Sequence, residues 1–237
     1  MIKNILKYFI PPLILPKNLN KFKNYLFHRE KIKFQIKDYE DNFYKRHSFV
    51  NKAVSMFDNC EYLEIGVGNN DLFNSIPLKM SKKHGVDPIH GGNYRMTSDE
   101  FFLKFPEKKF DVIFIDGLHH YLQCQKDVLN SINCLKKGGL ILLHDMLPGS
   151  DYEQYIPRKQ NDWKGDVWKV AVELNQSENL EFKIINIDSG IGIIKIKENF
   201  LYKKIPELKN KGFKEYLDYY KNFNLIDSEE ALEFISN

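Results

Sequence analysis

Residues 61–70 read EYLEIGVGNN, and the rest of the chain can be ordered around this stretch. A short apolar strand ends on the carboxylate of Glu64 and runs into a turn that holds Gly66 and Gly68. Glycine lets the backbone turn tightly and approach a ligand that a Cβ would block. A strand, a glycine turn and a helix N-terminus form a corner that is typical of nucleotide-binding sites. The third glycine of a dinucleotide fingerprint is absent, which disfavours a pyrophosphate ligand; an ordinary strand followed by a turn is the alternative.

The composition favours one large globular domain with extensions, because the chain has 237 residues and ordinary apolar content. The net charge of +3 is too small to indicate a nucleic-acid partner, and no nucleic-acid-binding motif is visible. Cys60, Cys124 and Cys134 have no zinc spacing and no CxxC pair, which indicates free thiols in a reducing compartment. No cleavable signal peptide and no apolar run of bilayer length is visible, so we expect a cytoplasmic protein.

The N-terminal segment, residues 1–37, differs from the rest because it is rich in Lys and Arg and contains a single acid, Glu30. Apolar and aromatic residues lie between the basic ones, and prolines interrupt any helix early. Such a segment can lie at the inner face of an anionic membrane. Alternatively it packs on its own domain or on a second subunit in a homodimer. We divide the chain into an extension over 1–38, a main domain over 39–197 and a C-terminal helical extension over 198–237.

Apolar strand patterns alternate with helical patterns through the main domain, which predicts a doubly wound, mostly parallel α/β sheet. We expect seven strands with helices on both faces. Two apolar runs near residues 182–187 and 191–196 predict an antiparallel hairpin that closes the sheet. The other predicted strands cover residues 62–65, 83–87, 93–96, 110–116 and 140–143.

Acidic residues follow four of these strands, namely Glu64, Asp87, Asp116 and Asp145. Ligands of doubly wound sheets bind beyond the carboxyl ends of the strands, so these acids predict one site at a single edge. Asp87 comes about twenty residues after the glycine turn, where an acid can accept hydrogen bonds from ribose hydroxyls. An aspartate in an ordinary turn before proline is the alternative for Asp87. Residues 146–165 predict a polar loop that is long enough to cover the site.

The succession from about residue 57 to residue 196 resembles the class I S-adenosylmethionine (SAM) dependent methyltransferases, which have a Rossmann-like fold. The resemblance implies that the first strand and its glycine turn hold the amino-acid part of SAM. It further implies that the acid after strand two binds the ribose and that the segment after strand three, including Ser98 and Asp99, flanks the adenine. The residues implied to hold SAM are Glu64, Gly66, Gly68, Asp87, Ser98 and Asp116.

The second half of the chain resembles a narrower group, the macrocin-type sugar O-methyltransferases and their surface-polysaccharide relatives. The motifs that carry this likeness are FIDGLHHY at 114–121, GG at 138–139, HD at 144–145, WKGDVWK at 163–169 and DSGIG at 188–192. Several members of this group use a divalent metal held by acids after strands four and five, which implies Mg²⁺ or Mn²⁺ on Asp116 and Asp145. The group carries two acids where this chain has His144 and Asp145, which leaves the need for a metal open.

The resemblance implies methyl transfer from SAM to a hydroxyl of a sugar or sugar nucleotide, in the synthesis of capsule or lipopolysaccharide. A sugar hydroxyl is a poor nucleophile, so a metal on Asp116 and Asp145, a general base at His119, or both together have to assist. A structural role for His119, capping the next helix, is the alternative. Substrate contacts are expected from His144, Arg158 and Trp168.

Two other functions are compatible with the same sequence. One is a methyltransferase of the same fold whose small-molecule acceptor is a nitrogen or a phosphate-type oxygen, which needs less help from a metal. The other is a non-catalytic module that binds a membrane surface through residues 1–37.

Overall fold

The computed structural model describes residues 44–237, so the expectations for the basic segment 1–37 lie outside the described residues. A seven-stranded sheet forms the centre of the fold. Its strands are β1 (Tyr62–Ile65), β2 (Lys83–Val86), β3 (Phe110–Ile115), β4 (Leu135–Leu143), β5 (Glu178–Ile185), β6 (Ile191–Leu201) and β7 (Leu225–Ile226). Their order in the sheet is β2-β1-β3-β4-β6-β5-β7. The helices are α1 (Arg46–Ser55), α2 (Asp71–Ser75), α3 (Ser98–Lys104), α4 (Tyr121–Cys134), α5 (Asp151–Gln154), α6 (Trp168–Gln176), α7 (Phe213–Tyr220) and α8 (Ser228–Ser236).

The sheet is mixed, with a parallel half and an antiparallel insertion. β1 pairs in parallel with β2 and β3, and β3 pairs in parallel with β4. β6 lies antiparallel between β4 and β5, so the expected hairpin is present. The doubly wound α/β sheet and its number of strands are therefore confirmed.

The identity of one strand differs from the expectation. Residues 93–96 form only an isolated bridge between Val86 and Tyr94. The reason is local, because the Asn93 side chain accepts from Gly85 N (2.8 Å) and donates to Lys83 O (2.9 Å), which satisfies the edge of β2 without a ladder. The seventh strand is instead β7, which pairs in parallel with β5 and belongs to the segment expected to be helical.

The helix ends show which local signals were sufficient. α3 begins after Thr97, whose hydroxyl accepts from Glu100 N while the Glu100 carboxylate accepts from Thr97 N, so a reciprocal capping pair starts this helix. α4 ends at Cys134, earlier than the lysines and glycines at 136–139 suggest. Lys136 lies in β4 instead, where its Nζ binds Asp111 Oδ2 at 2.7 Å.

The central strands are buried on both faces, as the continuous apolar runs predict. One side of the core joins α1 and α8 to the sheet through buried residues such as Phe49, Phe114, Leu142 and Phe234. The three cysteines are buried and free. No helix within residues 44–237 is long and apolar enough to cross a membrane. This packing leaves the carboxyl ends of β1 to β4 open at one edge of the sheet, close to the start of α1.

Candidate active site

A cavity of about 910 Å³ lies at that edge of the sheet. Five parts of the fold contribute to its wall: the glycine turn after β1, the loop after β2, the loop after β3, the end of β4, and the start of α1. The sequence-predicted residues that line it are Glu64, Gly66, Gly68, Asp87, Ser98, Asp116, His119, His144 and Asp145. The structure therefore brings nine of the predicted positions to one cavity, whereas Arg158 and Trp168 are not part of its wall.

The glycine turn forms the floor of the cavity. Gly66 has φ +81°, and a Cβ there would lie 2.1 Å from the carbonyl oxygen of Asp116, so the ends of β1 and β3 can approach this closely only with glycine. Gly68 has φ +58°, and a Cβ there would meet no atom within 4 Å. The turn is thus tightly packed at Gly66 and open at Gly68, which fits a ligand that lies against its backbone at Gly68.

Asp87 holds the glycine turn in place. Its Oδ2 accepts from the backbone N–H groups of Val67 and Gly68, both at 3.1 Å. Its Oδ1 accepts from the N–H groups of Ile89 and His90, both at 2.8 Å. Burial alone would raise the pKa of Asp87, but these four N–H donors lower it below its usual value. The carboxylate is an anchor in this structure, and its ribose contact stays a prediction.

Glu64 is the most deeply buried acid of the cavity wall, with 1% of its surface exposed. Its Oε2 accepts a hydrogen bond of 2.7 Å from the hydroxyl of Tyr62. Burial raises the pKa of Glu64 to about 8, in spite of this hydrogen bond, which lowers it. A positively charged ligand beside Glu64 would favour the ionised carboxylate.

Gln123 lies in the part of the cavity near Ser98 and Asp99, where adenine is expected, and it was not predicted from the sequence. Its Nε2 donates to Ser98 Oγ (3.2 Å), to Asp99 Oδ1 (3.0 Å) and to Asp127 Oδ1 (3.1 Å). Burial raises the pKa of Asp127 to about 6. Gln123 lies on α4 and lines the cavity, so it ties α3 and α4 together at this end of the site.

Two imidazoles and two carboxylates form the centre of the site. His119 Nδ1 lies 3.0 Å from Asp145 Oδ2, and His119 Nε2 lies 3.3 Å from Asp116 Oδ1. His144 Nδ1 lies 3.1 Å from Asp145 Oδ1 and 3.3 Å from Asp116 Oδ1. Burial lowers the pKa of each imidazole, but the two carboxylates outweigh it, so both pKa values are raised. Because both nitrogens of His119 face oxygen atoms, this geometry favours its protonated form.

Arg46 and Asp188 complete this centre, and sequence reasoning missed both. Arg46 Nη1 donates to Asp116 Oδ2 at 2.8 Å, while its Nε and Nη2 donate to the two oxygens of Asp188 at 2.9 and 3.1 Å. Burial raises the pKa of Asp116, but His144, His119 and Arg46 together hold it well below its usual range. Asp188 lies between the two apolar runs that predict the hairpin, and an acid at that turn was the available signal.

The donor set of the centre can hold a divalent cation. One ligand atom each from Asp116, His144 and Asp145 lie within 4.8 Å of one another. Carboxylate oxygens suit Mg²⁺ or Mn²⁺, whereas an imidazole ligand is more typical of zinc, copper, iron or nickel. A bound ion would polarise an acceptor oxygen and favour its deprotonation. Arg46 already neutralises one oxygen of Asp116, so the chain supplies a cation of its own at this place.

The loop of residues 146–165 lies against the cavity, as expected for a cover. Trp163 stacks on His119 with ring centroids 5.1 Å apart and 19° between the planes, and its carbonyl oxygen lies 3.1 Å from His119 Nδ1. Gly165 has φ +63°, and a Cβ there would lie only 1.7 Å from the carbonyl oxygen of His119. Asn161, Asp162 and Trp163 line the cavity, so the loop fixes the position of His119 and forms part of the wall.

The remaining two predicted substrate residues lie elsewhere. Trp168 is fully buried, its indole N–H donates to Gln154 Oε1 at 3.1 Å, and its ring packs against Tyr216. The expectation of a substrate contact from Trp168 is therefore wrong; the first residue of α6 faces the core. Arg158 donates to carbonyl oxygens of its own loop and lies 6.0 Å over the Trp163 ring, so its substrate contact stays a prediction.

Comparison with known proteins gives one family match. Residues 73–146 match the family model described as "Methyltransferase domain", which covers less than half of the chain. The matched segment runs from α2 to the residue after Asp145, so it contains the loops after β2 and β3 and the end of β4. No protein with a curated description matches the chain.

Several solved structures are similar at low identity. A putative O-methyltransferase from Klebsiella pneumoniae is 13% identical, with 82% of this chain and 95% of that chain covered and a TM-score of 0.49. An O-methyltransferase from Bacillus cereus in complex with SAH is 11% identical, with 82% and 96% covered and a TM-score of 0.46. The MycE methyltransferase from the mycinamycin biosynthetic pathway, in complex with Mg, SAH and mycinamycin VI, is 15% identical, with 60% and 46% covered and a TM-score of 0.38. The family match over residues 73–146 identifies a methyltransferase domain, and the strand order of the sheet is that of an α/β, Rossmann-like fold.

Proposed function

We propose that this protein transfers the methyl group of SAM to a hydroxyl of a sugar or sugar nucleotide, in the synthesis of capsule or lipopolysaccharide. The observation that carries the proposal is the convergence of four strand-end acids and His119 on one covered cavity. The choice of a sugar is supported by the motifs at 114–121 and 188–192, which resemble sugar O-methyltransferases.

The charge of the cavity suits SAM as the donor. Eight acids line it, against two Lys or Arg side chains, Lys45 and Arg46. SAM carries a positive sulfonium and an ammonium group, whereas the sulfonium becomes a neutral thioether in the product S-adenosylhomocysteine (SAH). An acidic cavity therefore attracts the donor more strongly than the product. The acids on the wall are Glu64, Asp71, Asp87, Asp99, Asp116, Asp145, Asp162 and Asp188.

The transfer itself is an in-line displacement. The bond from the methyl carbon to sulfur breaks with its electron pair going to sulfur, a bond to the acceptor oxygen forms, and the hydroxyl proton passes to a base. Holding the three atoms in line supplies a large part of the rate. We assign the base to His119, which Asp145 supports at 3.0 Å by stabilising the imidazolium that forms. Because the pKa of His119 is raised, its imidazole loses the proton and can act as a base only at a pH above the ordinary pKa of histidine.

A ligand melt followed by product analysis tests the proposal. We expect SAH to raise the melting temperature, since a ligand at about a hundred times its dissociation constant adds about 2.7 kcal/mol of stability. The protein is then incubated with SAM and a panel of sugars and nucleotide sugars, and methyl ethers are detected by mass spectrometry. In His119→Gln the amide side chain fills about the same space as the imidazole but cannot act as a base. This variant is therefore expected to retain SAH binding and lose turnover. Absence of SAH binding would refute the methyltransferase; SAH binding without any sugar product would refute the acceptor.

A second acceptor class is favoured by one observation. Both ring nitrogens of His119 face oxygens of Asp116, Asp145 or Trp163, so the base has no free lone pair in this structure. A phosphate-type oxygen is already ionised, and a neutral nitrogen is a stronger nucleophile than a hydroxyl, so neither acceptor needs a strong base before it attacks. Undiminished turnover of His119→Gln with such acceptors, and none with sugars, would favour this second function.

A further inference from the structure

Arg46 lies between the carboxylates of Asp116 and Asp188 at the centre of the described site. Its guanidinium contacts Asp116 Oδ2 at 2.8 Å and both oxygens of Asp188, and its Nη1 is 3.3 Å from His144 Nδ1. Asp116 and His144 are two of the three residues that can hold a metal ion. The guanidinium therefore touches the same side chains that a divalent cation would use.

Two cations cannot share this place without a large repulsion. A metal bound to Asp116 and to His144 Nδ1 would lie within a few ångströms of the Arg46 guanidinium, and like charges at that distance repel strongly in a buried site. Arg46 is permanently charged, so the repulsion cannot be relieved by loss of a proton. Either the guanidinium moves away or the metal binds weakly.

Asp188 opposes movement of the Arg46 guanidinium away from this place. Besides the two guanidinium contacts, its Oδ2 accepts from the backbone N–H of Arg46 at 3.0 Å, so one carboxylate fixes both the start of α1 and its first side chain. Asp188 and Ser189 have φ +45° and φ +67°, which is uncommon for residues other than glycine. Such backbone strain persists where the surrounding structure over-determines it, and it concentrates at functional sites.

We propose that Arg46, positioned by Asp188, is a built-in cation that competes with a divalent metal for Asp116. In the wild-type protein the guanidinium takes this position, holds Asp116 ionised and weakens metal binding at Asp116, His144 and Asp145. The proposal rests on the location of the proposed active site, but not on the nature of the methyl acceptor.

The test measures Mn²⁺ binding to the full-length protein by electron paramagnetic resonance and titration calorimetry. Arg46→Met keeps an unbranched side chain without charge, and we expect it to bind Mn²⁺ at least tenfold more tightly than the wild type. Adding Asp116→Asn to Arg46→Met is expected to abolish the gain, and Arg46→Lys is expected to resemble the wild type. Lys52→Met, which removes a positive charge from the last turn of the same helix, is the matched control and should leave Mn²⁺ affinity unchanged.

Asp188→Asn provides a second route if Arg46→Met is unstable, because it keeps the shape of Asp188 but releases the guanidinium. We expect a smaller gain in Mn²⁺ affinity from this variant, and thermal melts confirm that each protein is folded. Equal or weaker Mn²⁺ binding by both variants would overturn the proposal, and so would tight, Asp116-dependent binding by the wild type. SAH binding is measured in parallel; its absence in the wild type refutes the methyltransferase function, independently of the metal result.

Discussion

Replacing Asp87 by alanine removes one carboxylate that accepts four backbone N–H groups, and we expect this to lower the free energy of unfolding by about 3 kcal/mol. Val67 is buried, so loss of its bond at 3.1 Å leaves a donor without water and counts for about 1.5 kcal/mol. Gly68, Ile89 and His90 are exposed, and water replaces the lost acceptor at about 0.5 kcal/mol for each bond.

The conservative variant and the pH dependence sharpen this expectation. Asp87→Asn retains one acceptor oxygen, so we expect about half the loss, near 1.5 kcal/mol. The four N–H donors hold the folded-state pKa of Asp87 below its usual value, although burial raises it. The carboxylate therefore stabilises the fold fully above the unfolded-state pKa of about 3.9, and this contribution is lost as the pH falls through the depressed folded-state pKa. The difference between the wild type and Asp87→Asn is expected to shrink below about pH 4.

Urea unfolding followed by circular dichroism measures the stability, and calorimetry with SAH measures the ligand affinity of the same samples. Asp218→Ala, which removes an exposed acid on α7, is the control and is expected to change neither quantity. If Asp87 anchors the glycine turn, both stability and SAH affinity fall in Asp87→Ala. A variant with wild-type urea midpoint that has lost SAH binding would refute the anchoring role and favour a direct ribose contact.

Substitutions at the glycine turn, at Glu64 and at Trp168 have separate expected outcomes. Gly66→Ala is expected to fold poorly, because its Cβ would lie 2.1 Å from the Asp116 carbonyl oxygen, whereas Gly68→Ala is expected to remain folded with reduced SAH affinity; melts and calorimetry distinguish them. SAH affinity of the wild type is expected to rise as the pH increases through about 8, where Glu64 ionises and can pair with the ligand's ammonium group, and Glu64→Gln is expected to remove this dependence in calorimetry. Trp168→Phe is expected to lower the free energy of unfolding by about 2 kcal/mol through lost core packing, with the acceptor KM unchanged in steady-state assays; a raised KM would restore Trp168 as a substrate contact.

The parts of the fold that could be predicted are those that local patterns determine. The strand Tyr62–Ile65 was predicted with its correct ends, because an apolar run stops at a glycine turn. The start of α3 is a local feature of the same kind, because the capping pair of Thr97 and Glu100 acts within one turn of helix. β7 has two residues and no periodicity to detect, so only its pairing with β5 reveals it.

The missed pair, Arg46 and Asp188, shows why the site could be predicted only in part. The two residues are 142 positions apart, and each has an ordinary local interpretation, one as a helix residue and the other as a turn residue. Their contact exists because the β5–β6 turn reaches the start of α1, which is a property of the sheet order rather than of either segment. The prediction for Trp168 was wrong for another reason. Its motif indicated that the residue lies near the site, but not that its side chain faces the core.

The convergence of acids at one sheet edge has a physical consequence for the place where SAM binds. Parallel strands end together, so their terminal carboxylates repel unless each finds compensation. Asp116 and Asp188 contact Arg46, Asp145 contacts the two imidazoles, and Asp87 is surrounded by backbone N–H groups. Within residues 44–237, Glu64 has a neutral partner only, the hydroxyl of Tyr62, and no ion pair. An incoming ammonium group therefore gains most beside Glu64, so we propose that the amino-acid end of SAM lies there and that the methyl acceptor takes the charge-balanced centre around Asp116.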